Sequence, residues 1–385
     1  MTTRRLQVLS WALLFLSPLF LPVFVLLTYV RARGDRSQRI LVIPQLTRVG
    51  DLVCATPVFR SLKKQFPGVH VTVLISKKVG GILKNNPRVD EVLYLEDYKQ
   101  SFLALVVLVA WKRFDIGISL SGTFFANILC FYGCIPLRVK LKQRHIPWGE
   151  RFSNWMTNVK VAYEEGEYIP DFYAKLLAPI GVMSYEALKE VFVRDEDRKV
   201  ISHLLSEAPT ELLVGLSLSA GNAVKEWGDD RFFKLAEALI ADYGATILVI
   251  GGQNECERID AFIARSNHQD RYIKACTCTL EELPALMERL DLYVAVDTGP
   301  IHIAHALKVP LIDIVGPVNY TELSPRGERC VLVKPDPPVE PTIFAFREPG
   351  DPSLTKRALD NTQSLRVLES AITLLKETGI LYGRS

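Results

Sequence analysis

The sequence predicts two α/β domains in tandem, preceded by an N-terminal membrane helix. Three observations lead to this prediction. The chain has 385 residues, which is enough for two domains of ordinary size. Apolar strands alternate with helical stretches, which predicts βαβ units and a parallel sheet in each half. Residues 6–30 carry no charge, which separates this stretch from the rest of the chain.

The first half of the chain alternates from residue 39 onward. Its predicted elements are strands 39–46, 69–76, 89–95 and 114–120 and helices 52–66, 101–113 and 171–180. The stretch 101–113 is apolar but too short to span a bilayer, so we expect a buried helix there. Residues 137–170 are predicted to be irregular. They carry a basic cluster, which is either a solvated loop or a face for anionic headgroups or an acceptor phosphate: Arg138, Lys140, Lys142, Arg144 and Arg151.

The alternation restarts after a boundary that we expect near 195–211. A linker and helix at 194–207 precede it, and the proline-rich stretch 334–341 ends the second domain. The predicted elements between them are strands 212–221, 245–252, 292–296 and 309–316 and helices 229–243, 254–266, 279–289 and 300–307. A last amphipathic helix is predicted at 362–377.

The uncharged run 6–30 predicts a membrane anchor. At about 1.5 Å per residue, a helix of this length could cross a hydrocarbon core of about 30 Å. More arginines follow the run than precede it, so we expect residues 37–385 on the cytoplasmic side of the inner membrane. Pro18 and Pro22 lie inside the run and leave two forms open, a kinked span and a re-entrant hairpin.

Composition excludes several classes of protein. The formal net charge of +3 is too small to indicate a nucleic-acid partner by itself. The seven cysteines include no C-x-x-C pair, so we predict no zinc site and expect reduced, mostly buried thiols. No G-x-G-x-x-G follows a strand, which disfavours a nicotinamide dehydrogenase.

Three predicted strand ends carry residues that suit a binding or catalytic site, and the first of them holds Asp51. In open parallel sheets, ligands bind beyond the carboxyl ends of the strands. Gly50 permits a tight turn after the strand, and Asp51 follows where a helix begins. Asp51 therefore has two interpretations: a cap of its helix, or a carboxylate at a cleft rim that can accept a proton.

The second strand end reads Ser219-Ala220-Gly221 and is followed by Lys225. Small residues let backbone N–H groups approach an anion, and a nearby lysine supplies a point charge. The alternative is a polar loop with a solvated lysine. The P-loop pattern is absent.

The third strand end reads Asp297-Thr298-Gly299 and is followed by a helix from Pro300. The N–H groups and the dipole at a helix start favour phosphate. His302 can face the same ligand, whereas His305 is expected to pack. A metal site would need a fourth ligand beside Asp297, His302 and His305, and the sequence offers none, so no metal is predicted. The D-x-D spacing of residues 195–197 lies in a charged run, and we expect a solvated helix start there.

Three stretches in this order resemble the bacterial heptosyltransferase family, glycosyltransferase family nine. They are VGDLVCATPVFRSLKKQFP at 49–67, KEW at 225–227 and DTGPIHIAHAL at 297–307. The resemblance covers about residues 39–330. It implies the GT-B fold, two Rossmann-like domains facing a cleft, without a catalytic metal or a cofactor. It also implies a nucleotide-diphosphate sugar as donor, ADP-heptose in the best-known members, and lipopolysaccharide core as acceptor.

The resemblance also implies roles for single residues. Asp51 matches the family's proposed catalytic base. The other matching residues belong to the donor site. Ala220 and Gly221 match its phosphate loop, Lys225 its phosphate-binding lysine, Glu255 its ribose-binding acid, and Asp297, Thr298, Gly299 and His302 its diphosphate motif.

The sequence departs from the family at Gln45, where many members have a basic residue. The tail 335–352 lacks the cysteine pair that many members carry, and the membrane segment is atypical.

The predicted organisation is a membrane anchor at 1–36, an acceptor domain at 37–195, a nucleotide-sugar domain at 211–345 and a tail with a helix at 346–385. The predicted function is a membrane-anchored, metal-independent, inverting glycosyltransferase with a lipid-linked or lipopolysaccharide-type acceptor. The alternative is a membrane-tethered protein that binds or senses a nucleotide sugar without turnover.

Overall fold

A computed structural model describes residues 19–22, 24, 38–98, 101–143, 148–206, 212–346 and 359–381. The chain divides into two compact units between Leu188 and Lys189. Each unit contains one six-stranded sheet in which all strands are parallel. The predicted α/β class with two parallel sheets is therefore confirmed.

The amino-terminal unit has its sheet in the order β3-β2-β1-β4-β5-β6. The strands are β1 (Arg39–Ile43), β2 (His70–Ile75), β3 (Glu91–Tyr94), β4 (Ile116–Ser119), β5 (Leu137–Lys142) and β6 (Val159–Ala162). The helices are α1 (Val49–Gln65), α2 (Phe102–Lys112), α3 (Phe124–Tyr132), α4 (Trp148–Ser153) and α5 (Ile169–Leu177). Right-handed crossovers place α1 on one face of the sheet and α2 and α3 on the other. The observed packing agrees, because α1 contacts α5 and α2 contacts α3.

The carboxyl-terminal unit has its sheet in the order β12-β11-β10-β7-β8-β9. The strands are β7 (Leu213–Ser217), β8 (Thr246–Ile250), β9 (Tyr272–Ala275), β10 (Leu292–Val296), β11 (Leu311–Ile314) and β12 (Cys330–Val333). The helices are α6 (Asp195–Leu204), α7 (Asp229–Tyr243), α8 (Cys256–Ile263), α9 (Leu283–Met287), α10 (Gly299–Ala306), α11 (Tyr320–Leu323) and α12 (Ser364–Glu377). The apolar side of α12 packs into the core of this unit through Val367, Ala371 and Leu374.

Both sheets have the same strand order when each is numbered from its own first strand. The order reverses between β1 and β4 in one sheet and between β7 and β10 in the other. Such a reversal leaves a crevice beyond the carboxyl ends of the two strands, and ligands bind there in open α/β sheets. The fold therefore predicts a binding site after β7 and β10.

The middle segment differs from the sequence prediction. Residues 137–170 contain β5, β6, α4 and the start of α5 rather than an irregular loop. Arg138 and Lys140 lie in β5 with 7% and 1% of their surface exposed. The predicted basic face is therefore wrong for these two residues, while Arg144 lies outside the described residues and Lys142 and Arg151 are exposed.

Arg138 is buried because its guanidinium finds partners inside the unit. It donates to the carbonyl oxygens of Met156 and Ile135, both at 2.5 Å, and lies 4.7 Å from the ring centre of Phe24. Burial lowers the pKa of Arg138 to about 10, which still leaves it charged at neutral pH. The strand reads LRVKLK, and this alternation of apolar and charged residues is typical of a strand with one solvated face, so it does not reveal that Arg138 and Lys140 on that face are buried.

The cysteines also differ from expectation. Cys256 and Cys276 form a disulfide that ties the start of α8 to the end of β9. The expectation of reduced thiols is therefore wrong for this pair and holds for Cys54, Cys130, Cys134, Cys278 and Cys330. The β8-α8-β9 unit brings the pair together across a sequence separation of 20 residues.

Most of the predicted anchor 6–30 lies outside the described residues. Residues 19–22 and 24 are helical, and Phe20 and Phe24 pack against the core of the amino-terminal unit. Within the described ranges, no helix is both long and apolar enough to cross a membrane.

Candidate active site

A pocket of about 390 Å³ lies at the reversal point of the second sheet. It is lined by the loops that follow β7, β8 and β9 and by the start of α10. The lining residues predicted from the sequence are Ala220, Gly221, Glu255 and Thr298. The pocket therefore lies where the fold predicts a ligand. The predicted residues Lys225, Asp297, Gly299 and His302 are not among those that line it.

Lys225 approaches this site from a short 3-10 turn at Ala223–Lys225. Its Nζ donates to Oδ2 of Asp297 at 2.5 Å, and its side chain is 20% exposed. The alternative of a solvated lysine is therefore wrong. Asp297 fixes the ammonium beside the carboxyl ends of β7 and β10, where it can attract an anion.

The start of α10 supplies a second electropositive element. The helix begins at Gly299, one residue before the prediction, with Thr298 as its N-cap and Pro300 in its first turn. Among the described residues, no hydrogen bond from a backbone N–H to the Thr298 side chain caps this helix. Thr298 and Pro300 both line the pocket, so the helix start borders it and favours an anionic ligand there.

His302 is buried in the first turn of α10, next to a lysine that was not predicted from the sequence. Lys189 Nζ lies 3.0 Å from His302 Nδ1, and both side chains are buried. Burial, and then the charge of Lys189, lowers the pKa of His302 well below its ordinary value, so the ring is neutral. An ammonium can only donate, so Nδ1 accepts and the ring proton lies on Nε2. Lys189 thereby fixes the tautomer of His302.

His305 lies away from this site. Its Nε2 is 2.9 Å from the carbonyl oxygen of Arg326, which agrees with the predicted packing role. Burial, and then the charge of Lys189, lowers the pKa of His305 to about 4. In the part of the chain that the structure describes, no three His, Cys, Asp or Glu side chains group into a possible metal site.

Asp313 is a buried ionisable side chain near this site that was not predicted from the sequence. It lies in β11 with no exposed surface, and neither carboxylate oxygen has a hydrogen-bond partner among the described residues. Burial, and then the charge of Asp297, raises the pKa of Asp313 well above its ordinary value. An aspartate inside the apolar strand LIDI is the signal that could have identified it.

Glu255 stands at the end of the turn that follows β8. Its Oε2 accepts from the N–H of Gly252 at 2.7 Å, which holds the carboxylate against the loop. A Cβ atom on Gly251 would lie 2.9 Å from the same oxygen, so the glycine permits this close approach. Glu255 is thus fixed at the pocket wall, and its ribose-binding role stays a prediction.

The remaining wall of the pocket was not predicted. Cys278, Thr279, Leu280 and Leu283 line it from the loop after β9 and from α9. β9 has only four residues, which alternate weakly in burial, so neither the strand nor the loop that it positions was predicted from the sequence. These side chains are largely apolar and suit a nucleoside base better than a phosphate.

Asp51 belongs to the amino-terminal unit and lies in the first turn of α1. The N-cap residue of α1 is Arg48, and its side chain makes no capping hydrogen bond with the described residues. Asp51 is therefore not the cap residue. Asp51 is 8% exposed and lies 4.0 Å from the Arg48 guanidinium. Its charge contributes to the raised pKa of buried Tyr173, after the larger effect of burial. Asp51 is therefore in the first turn of the helix rather than at its N-cap position.

The acidic run 195–197 forms the start of α6, but the expected solvation holds only for Asp195 and Glu196, since Asp197 is 4% exposed. Asp197 accepts two hydrogen bonds from Arg194, and Asp195 accepts one from Arg198. Both carboxylates are thus engaged by arginines rather than facing a common centre.

Known proteins resemble this chain along most of its length. A family model for glycosyltransferase family 9 (heptosyltransferase) matches residues 104–341. Lipopolysaccharide heptosyltransferase 3 of Escherichia coli strain K12 is 23% identical over 296 residues, which cover 73% of this chain and 84% of that protein. The structure of E. coli ADP-heptose lps heptosyltransferase II has a TM-score of 0.71 at 20% identity, covering 89% of this chain and all of that one. A family 9 glycosyltransferase from Veillonella parvula has a TM-score of 0.72 at 20% identity, covering 89% and 99%.

The family model spans more than half of the chain and includes every residue that lines the pocket. The solved structures share the fold of two parallel-sheet α/β domains. The chain therefore belongs to glycosyltransferase family 9, the heptosyltransferase family, and is a glycosyltransferase.

Proposed function

We propose that the protein is a metal-independent, inverting heptosyltransferase that moves a heptose-like sugar from a nucleotide diphosphate, such as ADP-heptose, to a lipopolysaccharide-type or lipid-linked acceptor. The donor nucleotide binds to the carboxyl-terminal unit, and the acceptor binds to the amino-terminal unit. The names of the relatives support this choice, since they specify lipopolysaccharide and ADP-heptose.

One observation carries the proposal. A lysine held by Asp297 and the start of α10 stand at one strand-reversal point beside a pocket of nucleotide size. A cation and a helix N-terminus together bind a diphosphate and stabilise the negative charge that it gains as a leaving group. The apolar wall at Leu280 and Leu283 then holds the base, and Glu255 the ribose.

The proposed reaction is a single displacement. Asp51 takes the proton from an acceptor hydroxyl, whose oxygen forms a bond to the anomeric carbon. The bond from that carbon to the diphosphate oxygen breaks on the opposite face, so the configuration inverts. Lys225 and the start of α10 stabilise the charge on the departing diphosphate. The buried hydrogen bond between Lys189 and His302 holds the first turn of α10 in place.

The proposal includes attachment to the inner membrane through the run 6–30, apart from Phe20 and Phe24, which pack on the amino-terminal unit, with residues 37–385 on the cytoplasmic side. The absence of charge over this run and the arginines after it support this orientation. A lipid-linked acceptor would then be available at the same surface.

Product formation separates the proposed enzyme from a sensor that only binds the donor. We would incubate the purified chain with ADP-heptose and heptose-deficient lipopolysaccharide, and follow both ADP release and the mass of the acceptor. Release of ADP with a matching gain of one heptose supports the transferase. Tight binding of ADP-heptose without either product favours the sensor.

Metal independence is expected because Lys225 and the helix start already stabilise the leaving group. Saturating chelator should leave the rate of transfer unchanged. Loss of activity that magnesium or manganese restores would contradict the proposal and would direct attention to the acidic residues 195–197.

Lys189→Met should change which ring nitrogen of His302 carries the proton. Without the ammonium, Nδ1 loses its donor, and we expect about tenfold weaker binding of ADP, the effect of one hydrogen bond. Spectra of ¹⁵N-labelled histidine should show the Nε2–H tautomer in the wild type and a mixture in the variant. Lys189→Arg, which keeps a donor, should stay close to the wild type. An unchanged tautomer in Lys189→Met would contradict this role.

A further inference from the structure

Helix α2 is apolar on its exposed side. Phe102, Leu105 and Val109 face the core, whereas Leu103, Val107 and Trp111 are 57%, 59% and 76% exposed. These three exposed residues, which we call the α2 ridge, follow one another at intervals of four and so line one face of the helix. A helix on a water-exposed surface normally carries polar residues there, so the expectation of a buried helix holds for only one side of α2.

The α2 ridge belongs to a larger apolar layer on one face of the amino-terminal sheet. α2 packs on α3, and Phe131 of α3 contacts Phe24 at 4.7 Å and Trp155 at 5.1 Å between ring centres. Of the eleven large hydrophobic side chains exposed among the described residues, five belong to this layer: Leu103, Val107, Trp111, Phe152 and Trp155. Two more, Leu19 and Leu21, flank Phe20, which contacts Phe131 and Tyr132 of α3. Their concentration on one layer excludes the ordinary scatter of single apolar residues over a surface.

The neighbouring sequence indicates what covers this layer. Phe20 and Phe24, which pack on α3, lie inside the uncharged run 6–30, so the layer is continuous with a segment suited to hydrocarbon. Trp111 and Trp155 are the residue type that collects at membrane interfaces. Exposed Arg113 follows the ridge, and exposed Arg151 precedes Phe152, which complements anionic headgroups.

We propose that the α2 ridge, together with Phe152 and Trp155, enters the headgroup region of an anionic bilayer and holds the amino-terminal unit against the membrane. This contact is additional to residues 6–30. It rests on the proposed function in that a lipid-linked acceptor explains why the unit carrying Asp51 should lie at a membrane. The proposed contact takes the place of the basic face that was predicted for residues 138–151, since Arg138 and Lys140 are buried.

Photo-crosslinking tests this contact on the full chain without any need for turnover. Val107 is replaced by p-benzoylphenylalanine, and the protein is irradiated with vesicles of phosphatidylglycerol and phosphatidylethanolamine. The matched control carries the same group at Leu365, which is 65% exposed in the carboxyl-terminal unit. We expect lipid adducts at position 107 that exceed those at position 365 by about tenfold or more. Both positions are exposed, so the replacement should not disturb folding.

Two outcomes would overturn the proposal. Crosslinking of position 107 to a second copy of the chain would assign the ridge to a dimer interface. Equal adduct yields at positions 107 and 365 would show that the ridge has no preferred contact with lipid. Because ADP-heptose is absent, the result is independent of the transferase assay. A crosslinked lipid without transfer would refute the function alone, and transfer without a lipid adduct would refute the surface alone.

Discussion

Asp51→Asn is expected to lower the rate of transfer by about 10²–10⁴-fold, the usual contribution of a general base. The amide keeps the size of the side chain but cannot accept the proton of the acceptor hydroxyl at neutral pH. Donor binding should change little, because the proposed donor site consists of residues of the carboxyl-terminal unit. The measurements are turnover with ADP-heptose and an acceptor, and calorimetry with ADP alone.

Asp171→Asn provides a matched control for this experiment. Asp171 is an exposed acid in the first turn of α5, in the same unit as Asp51. Both substitutions remove a negative charge from a helix start, and that loss costs about 0.3–1 kcal/mol of stability at the exposed Asp171 and up to about 2 kcal/mol at the buried Asp51. If Asp51→Asn and Asp171→Asn retain similar turnover, the catalytic role of Asp51 is refuted.

Lys225→Ala should weaken the binding of ADP by about 10- to 150-fold. The substitution removes a charge-assisted contact worth roughly 1.5–3 kcal/mol, and each 1.4 kcal/mol corresponds to a factor of ten. It also leaves Asp297 without its 2.5 Å partner, which adds repulsion toward an incoming diphosphate. Lys199→Ala, at an exposed position in α6 of the same unit, controls for the general loss of positive charge.

Gly299→Val tests the same placement by obstruction rather than by charge. Gly299 is the first residue of α10, and a branched side chain there should block the approach of the diphosphate while Lys225 remains in place. Calorimetry with ADP should detect the loss in both variants. If the affinity of either variant equals that of the wild type, the diphosphate does not bind at this helix start.

The sequence by itself determined the class of fold and marked four of the residues that line the pocket, Ala220, Gly221, Glu255 and Thr298. Strand β10 and helix α7 have the predicted bounds, because an apolar run and an amphipathic helix are both local patterns. The loops after β7 and β10 were also visible, since small residues, a lysine and an Asp-Thr-Gly stretch depart from the composition of their neighbours. Local sequence marks a strand end that carries such residues, whereas the loop after β9 lines the same pocket without a comparable signal.

Only the tertiary structure decided which distant charges share that site and which surfaces are exposed. Lys189 reaches His302 across 113 residues, and Asp313 enters the same buried region from β11. No periodicity links such positions, because their proximity depends on the order of strands in the sheet. The same holds for Arg138, which is buried through carbonyl partners, and for the α2 ridge. An apolar helix looks buried in sequence, and only its packing on one side shows that the other side remains exposed.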